Sequence, residues 1–341
     1  MLKKFLLSAL FGLVCAIFIL LWQNGHYLLN LHREPVSFKE AIRIASPAVV
    51  NVYNLAFSRN QVEQVGADNL GAGVVMSKDG YILTNKHVIE KAEQVVVALQ
   101  NGQFFDATLI GSDSLTDLAV LKIRADNLAT IPQNPTRKSY VGDVVLAIGN
   151  PYNLGQSVSQ GIISAVGRNT VGDFVGRQNF IQTDASINRG NSGGALINSV
   201  GELIGINTLS IGKSANEIAE GLNFAIPIEL ANDIMQKIIR DGRVIRGYFG
   251  VQSDFFNNVQ RLETGKGILI VEVSPDSPAE KAGLKAGDII LKLDNTEASS
   301  PTQVMQQISN IRPNTQINVE ISRLGEKLMI PVIIGEYPTS Y

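Results

Sequence analysis

Between residues 38 and 227 the chain is written in short apolar runs, "AGVVMS", "QVVVAL", "LAVLKI", "DVVLAIG", "GIISAVG", "ALINSVG" and "ELIGINT", separated by Gly, Asn and Asp turns. Many short strands at regular spacing specify a barrel or a sandwich. A longer stretch, "IELANDIMQKIIRDG" at 228 to 242, carries apolar residues at helical spacing and stops at Gly242, which predicts a helix placed as a hinge. From about 245 to 336 a smaller unit follows, with strand runs "GILIVEV" and "IILKLD", a helix candidate at 301 to 310 and a final strand pair. Its size suits one independent module. Composition agrees with folded units, since 45% hydrophobic and 18% charged residues exclude a disordered chain. Lys+Arg 29 against Asp+Glu 31 leaves a net charge of −2, so no cationic footprint favours nucleic acid.

The N-terminus reads differently. "FLLSALFGLVCAIFILLW", residues 5 to 22, is an uncharged apolar run about as long as a bilayer-spanning helix requires, and it predicts one transmembrane anchor. Lys3 and Lys4 precede it, so the positive-inside rule leaves residues 1–4 as a cytoplasmic tail and sends everything after residue 22 across the membrane, to a periplasmic or extracellular side. The competing reading, a cleaved signal peptide, fits less well because the run is long for such a segment and "QNGHYL" has no small-x-small cleavage site. Cys15 lies inside this run and is the only cysteine, so the exported part has no thiol for a disulfide or a metal. Residues 23–37, mixed and polar, read as a tether between membrane and fold.

"NRGNSGGAL", 188 to 196, strips side chains from the neighbourhood of Ser192. Acyl transfer needs a nucleophile, a base, a group that orients the base, and N–H donors for the oxyanion. Gly190, Asn191 and Ser192 can supply a nest of backbone amides, while Gly193 and Gly194 leave room for a substrate chain. A flexible turn would use the same residues. The base separates the two readings: of three histidines, His26 and His32 lie in the tether, and His87, in "YILTNKHVIE", is the only one of the β-rich region. Asp117 in "SLTDLAVLKI" begins an apolar strand and is the candidate to hold the imidazole in one tautomer, with Asp113 as its competitor. Other chemistries find little footing. "GAG" at 71 to 73 opens a strand instead of a helix, "NTLSIGKS" has Asn207 where a phosphate loop needs glycine, and no His/Asp/Glu cluster has metal-ligand spacing. No cofactor and no metal are expected.

His87, Asp117 and Ser192, in that order within "TNKHV", "DLAVLKI" and "GNSGGAL", resemble the HtrA family of trypsin-like serine proteases, and the resemblance runs from about residue 38 to the C-terminus. It implies a mostly β chain: a chymotrypsin-like double β-barrel protease domain over 38–242, with the cleft between two six-stranded barrels, then one α+β PDZ domain over 245–336. It further implies an oxyanion hole shaped by Gly190 and Ser192 with Asn191 between them. Ser186 stands where trypsin-type enzymes carry the carboxylate that selects Lys or Arg, so the resemblance implies a small or medium aliphatic P1 residue, with Ile187 and residues near Leu209 forming the pocket.

"SPDSPAEKAGLKAGDIILKLDN", 274 to 295, resembles the PDZ domains of the same family, and "RGYFGV", 246 to 251, matches their carboxylate-binding loop. Tyr248, Phe249, Gly250 and Val251 would ring a terminal carboxylate, with Met305 on the helix across the groove. One anchor, one protease domain and one PDZ domain together are similar to the membrane-anchored, stress-sensing branch of the family. That similarity implies a homotrimer whose PDZ domain binds C-terminal peptides of outer-membrane porins. Its protein substrate would be the periplasmic part of an anti-sigma factor, cut to start the envelope-stress response. Arg168, at the start of "VGRNTVGDFVGR", matches an arginine that relays ligand state to the oxyanion loop. Two alternatives stand beside this reading, a broad quality-control protease and an anchored peptide-binding or chaperone protein.

Overall fold

The computed structural model describes residues 2–29, 37–55, 70–150, 155–168, 180–208, 222–253 and 267–338. Its first element is a helix, α1 (Leu2–Leu29), on which Leu10 through Trp22 are exposed. Among the described residues no helix is long and apolar enough to cross a membrane. A short helix, α2 (Lys39–Ala45), and a 3-10 turn, Ser46–Ala48, lead into the β-rich part.

Six strands close the first barrel: β1 (Val49–Leu55), β2 (Leu70–Val75), β3 (Tyr81–Asn85), β4 (Gln94–Ala98), β5 (Phe104–Asp113) and β6 (Leu118–Lys122), in the order β1-β2-β3-β6-β5-β4. Six more close the second: β7 (Val144–Gly149), β8 (Ser157–Arg168), β9 (Phe180–Thr183), β10 (Ala195–Asn198), β11 (Leu203–Thr208) and β12 (Asn223–Pro227), in the order β10-β11-β12-β9-β8-β7. Of the two β architectures open to the sequence, the closed barrel is the one formed. Strands such as β2, LGAGVV, are buried at every position because one face lines the barrel and the other meets its neighbour. Closure leaves no open edge on either sheet. The main core joins the interior of the first barrel to Ile148, Ala195 and Ile206 of the second, so the two barrels share packing along their contact.

Helix α3 (Ile228–Asp241) buries Ile228, Ala231, Ile234 and Ile238, one stripe at helical spacing, and ends on Gly242 at φ +74°, whose N–H reaches the Ile238 carbonyl at 2.8 Å. A side chain on Gly111 of β5 would come within 2.0 Å of the Gly242 carbonyl, so this glycine lets the helix end lie flat on the first barrel.

The C-terminal unit has its own core around Phe249, Ile290, Val319 and Val332. Its main sheet runs β15 (Ile268–Leu269), β17 (Ile289–Leu293), β19 (Gln316–Arg323), β20 (Glu326–Ile333), with β18 (Thr296–Glu297) on β17. Two small ladders flank it, β13 (Gly247–Tyr248) with β21 (Gly335–Glu336), and β14 (Val251–Gln252) with β16 (Glu272–Val273). The helices Pro278–Lys281 and Pro301–Ser309 each begin on a serine, Ser277 and Ser300, whose hydroxyl accepts an amide of the first turn. A cavity of about 930 Å³ separates the helix Pro301–Ser309 from α3 and the second barrel.

Candidate active site

β3 delivers the chain to a 3-10 turn, His87–Ile89, at the barrel rim. Asp117 precedes β6 in a left-handed conformation, φ +54°, which aspartate tolerates better than most residues. That turn is held by its carbonyl, which accepts from the Lys86 amide at 2.9 Å and the Asn85 side chain at 3.0 Å. The carboxylate then meets His87 twice. Its Oδ1 accepts the His87 backbone N–H at 3.0 Å and its Oδ2 lies 2.6 Å from Nδ1. An ionised carboxylate only accepts, so Nδ1 carries the proton and Nε2 is left as the basic nitrogen. Thr208, at the end of β11 in the other barrel, adds a hydroxyl 3.4 Å from the same Oδ2. The sequence pattern did not single out Thr208; its only trace is a hydroxyl closing the apolar run "ELIGINT".

Asp113 goes elsewhere. It accepts from Thr116 through both backbone and hydroxyl, and takes two hydrogen bonds from the Arg246 guanidinium at 2.6 and 2.7 Å. With its acceptors so occupied it does not compete for His87, and it serves as a strut to the segment that opens the C-terminal unit.

Ser192 sits between the barrels, 3% exposed. Its carbonyl accepts the Ala72 amide of β2 at 2.8 Å, and the next residue, Gly193, donates to the Asn207 carbonyl of β11 at 2.8 Å. This accounts for "GAG": the motif brings β2 backbone against the serine loop. Gly193 has φ +82°, and a Cβ there would lie 2.2 Å from the Ala72 carbonyl and 2.5 Å from the Thr84 hydroxyl. Gly193→Ala is expected to lower stability by about 3 kcal/mol and to reduce kcat at least about tenfold, read by thermal unfolding and peptide hydrolysis. Unchanged values would mean that the loop is not held here.

The Asn191 amide does not point into a nest. It donates to the Asn188 carbonyl at 2.9 Å, whereas the Gly190 and Ser192 amides find no backbone acceptor among the described residues. Two donors, not three, are available to an incoming oxygen. The Ser192 hydroxyl is buried without a hydrogen-bond partner among the described residues, so it is not engaged with the imidazole in this conformation. Ser186, on the expected specificity wall, is held through its carbonyl by the Ser159 hydroxyl at 2.7 Å, and Ile187 is buried. Leu209 lies outside the described residues. Arg168 ends β8 with its backbone paired to Phe180; its side chain and residues 169–179 lie outside the described part.

In the C-terminal unit, Gly250 turns at φ +84°, and the Phe249 and Gly250 carbonyls accept from the Ala279 and Ser274 amides at 3.0 and 2.8 Å. Their own N–H groups find no backbone acceptor among the described residues. The Phe249 side chain is fully buried in the core, and Tyr248 packs edge-on against Tyr337. Val251 begins β14; residues 254–266, which follow it, lie outside the described part. Met305 lines the cavity facing α3, a neighbourhood that the sequence pattern did not anticipate.

Residues 71–206 match the model of the trypsin-like peptidase domain and residues 247–334 that of the PDZ domain. The chain is 65% identical over 345 residues to serine endoprotease DegS of Haemophilus influenzae, with all of both chains covered. The chain belongs to the HtrA family. It is 54% identical to serine endoprotease DegS of Escherichia coli K12, over 90% of this chain and 88% of that one. Among solved structures, the serine endoprotease from Yersinia pestis is 52% identical with a TM-score of 0.74, covering 89% of this chain and 99% of that chain. The HtrA-type protease AlgW with tripeptide is 42% identical with a TM-score of 0.79 and the same coverage. This HtrA chain is accordingly a serine endoprotease with a trypsin-like domain followed by a PDZ domain.

Proposed function

We propose that Ser192 is the nucleophile, His87 the general base and Asp117 the group that orients it, in a periplasmic endopeptidase gated by peptide capture. The observation that carries this reading is the pair of hydrogen bonds from His87 to Asp117, which leaves Nε2 as the basic nitrogen, in a chain whose serine loop has two amides without a backbone acceptor among the described residues. In the reaction Ser192 Oγ turns to Nε2, gives up its proton and attacks the scissile carbonyl. The carbonyl oxygen takes up negative charge against the Gly190 and Ser192 amides, and the imidazolium, stabilised by Asp117, returns the proton to the leaving amine. Water repeats the sequence on the acyl enzyme. Asn191 shapes the hole without donating to it.

The PDZ domain would take a terminal carboxylate on the amides of Phe249, Gly250 and Val251, beside Tyr248, with the peptide adding to β14 and Met305 on the neighbouring helix. The turned-away carbonyls of Phe249 and Gly250 support this, because they leave the opposite side of the loop electropositive. The uncharged apolar run supports an anchor over 5–22 followed by a tether over 23–37, and the matched domain models support a protease domain over 38–242 and a PDZ domain over 245–336, both in the periplasm in this reading. In this reading a homotrimer binds porin C-termini and cuts an anti-sigma factor, with Arg168 relaying the bound state. The unengaged Ser192 hydroxyl fits a resting form that peptide shifts toward the active one.

The test is cleavage of a periplasmic anti-sigma-factor fragment by the full chain in detergent, with and without a porin-like C-terminal peptide. Stimulation by the free carboxylate and none by the peptide amide is expected. Peptide-independent degradation of unfolded protein would favour broad quality control instead. Gly250→Ala, whose Cβ would lie 2.2 Å from that of Ser277 at positive φ, is expected to weaken peptide binding at least about tenfold, measured by fluorescence anisotropy. Wild-type affinity would remove the loop from the binding site.

A further inference from the structure

We infer that the corner ending β7, Gly149–Asn150, positions the oxyanion loop, so that Asn150 is a positioning residue for acyl transfer; this rests on the reading of Gly190 and Ser192 as donors. The peptide unit between those donors joins Gly190 to Asn191. Its carbonyl accepts the Asn150 N–H at 3.3 Å, and its N–H donates to the Asn188 carbonyl at 2.9 Å. A peptide is planar, so a unit held at both ends has one orientation. The rotations at Gly190 and Asn191, which set the angle between the two flanking amides, are restricted with it. Gly190 meets this demand at φ +99°, a conformation that side chains rarely adopt.

The Asn150 amide is itself held in place. The residue is 2% exposed, and its Oδ1 accepts the Gly155 amide at 2.9 Å, closing the chain across the connection between β7 and β8. The next residue, Gln156, donates to the Ser46 carbonyl at 3.0 Å, so the far side of that connection rests on the N-terminal 3-10 turn. A loss of the Oδ1 acceptor frees the corner at the point where its N–H must meet Gly190.

Packing makes the second contact. A Cβ on Gly149 would come within 2.5 Å of Asn191 Oδ1 and 2.6 Å of Asn191 Cα. The Asn191 side chain therefore lies directly on bare backbone. It is 3% exposed, and among the described residues its Oδ1 has no hydrogen-bond partner and its Nδ2 reaches only the Ser186 carbonyl, at 3.5 Å. Contact with Gly149, more than hydrogen bonding, keeps it down. The same corner thus fixes the loop once by a hydrogen bond and once by steric contact, and "AIGNP" acquires a role in catalysis that its place in a strand does not imply.

The test compares the full-length wild type with Asn150→Ala, Asn150→Asp, Gly149→Ala and Ser192→Ala on a peptide p-nitroanilide with valine at P1, in the presence of an activating C-terminal peptide. Loss of one oxyanion donor lowers kcat by about 10²–10³, and a displaced donor retains part of its effect. Asn150→Ala and Gly149→Ala are therefore expected to lower kcat about 10- to 100-fold with KM changed less than about threefold. Asn150→Asp keeps an acceptor for the Gly155 amide and is expected to lose less kcat than Asn150→Ala. Wild-type kcat in both Asn150→Ala and Gly149→Ala, a loss carried by KM, or equal losses in Asn150→Ala and Asn150→Asp would overturn the inference. So would an Asn150→Ala chain that fails to fold, because the residue would then be structural. Persisting activity in Ser192→Ala sinks the triad reading instead, and the two failures are told apart.

Discussion

Ser192→Ala is expected to lower kcat by about 10⁵–10⁶ while leaving binding of a C-terminal peptide unchanged. Members of a nucleophile–base unit act together, so removing the serine or the histidine alone takes away nearly all that the unit provides, and only the oxyanion donors and substrate binding remain. His87→Ala should match it, and the double variant should be no worse than either single one. Ser192 is 3% exposed, but losing a hydroxyl that has no hydrogen-bond partner among the described residues leaves none of them unpaired. Stability should therefore stay within about 1 kcal/mol of wild type. Peptide hydrolysis, normalised by fluorophosphonate titration of the wild type, measures the first quantity and thermal unfolding the second. Cleavage surviving in Ser192→Ala would move the nucleophile elsewhere and remove the basis of the proposed mechanism.

The second large effect is expected at Asp113. Its side chain and that of Arg246 are 7% and 16% exposed, and the pair joins the end of β5 to the segment entering β13. Asp113→Ala leaves the guanidinium largely buried without its counter-charge, for which a loss of about 3–5 kcal/mol is expected. The double variant Asp113→Ala/Arg246→Ala should recover part of that loss, since no orphaned charge remains. Burial alone would raise the Asp113 pKa; the two hydrogen bonds and the charge of Arg246, with the Thr116 donors, outweigh it and hold the carboxyl below the usual range. A carboxyl depressed in the native state stabilises above its unfolded pKa of about 3.9, and that stabilisation is lost as pH falls through the native value. The wild-type advantage over the double variant should therefore shrink below about pH 4, measured by calorimetry along an acid series. A single-variant loss under about 1 kcal/mol would make the pair a surface decoration.

Much of the fold was legible along the chain. The apolar runs of β2, β6 and β7 carry their own turn signals, and α3 is bounded by Pro227 and by Gly242 at φ +74°. Such features are local, because strand and helix periodicity and the tolerance of glycine for positive φ act within a few residues. Barrel or sandwich could not be told apart in this way, since alternation reports which face is buried and not whether the first strand meets the last. The cofactor motifs were dismissed on the same local grounds, and "GAG" became intelligible only once β2 was seen to meet Ser192 across the cleft.

The candidate site divides along the same line. By itself the sequence determined that one histidine, one glycine-bounded serine and two nearby aspartates were available, and that a carboxylate-binding loop pattern followed in a second unit. Residue type, order and local conformational freedom are properties of the chain. Only the tertiary structure decided that Asp117 holds His87 while Asp113 holds Arg246, that Thr208 joins from the other barrel, and that the Asn191 amide is spent on a turn. Those partners lie up to 133 residues apart in the chain, and a hydrogen bond over such a separation exists only after barrel closure and domain docking have brought the groups within about 3 Å.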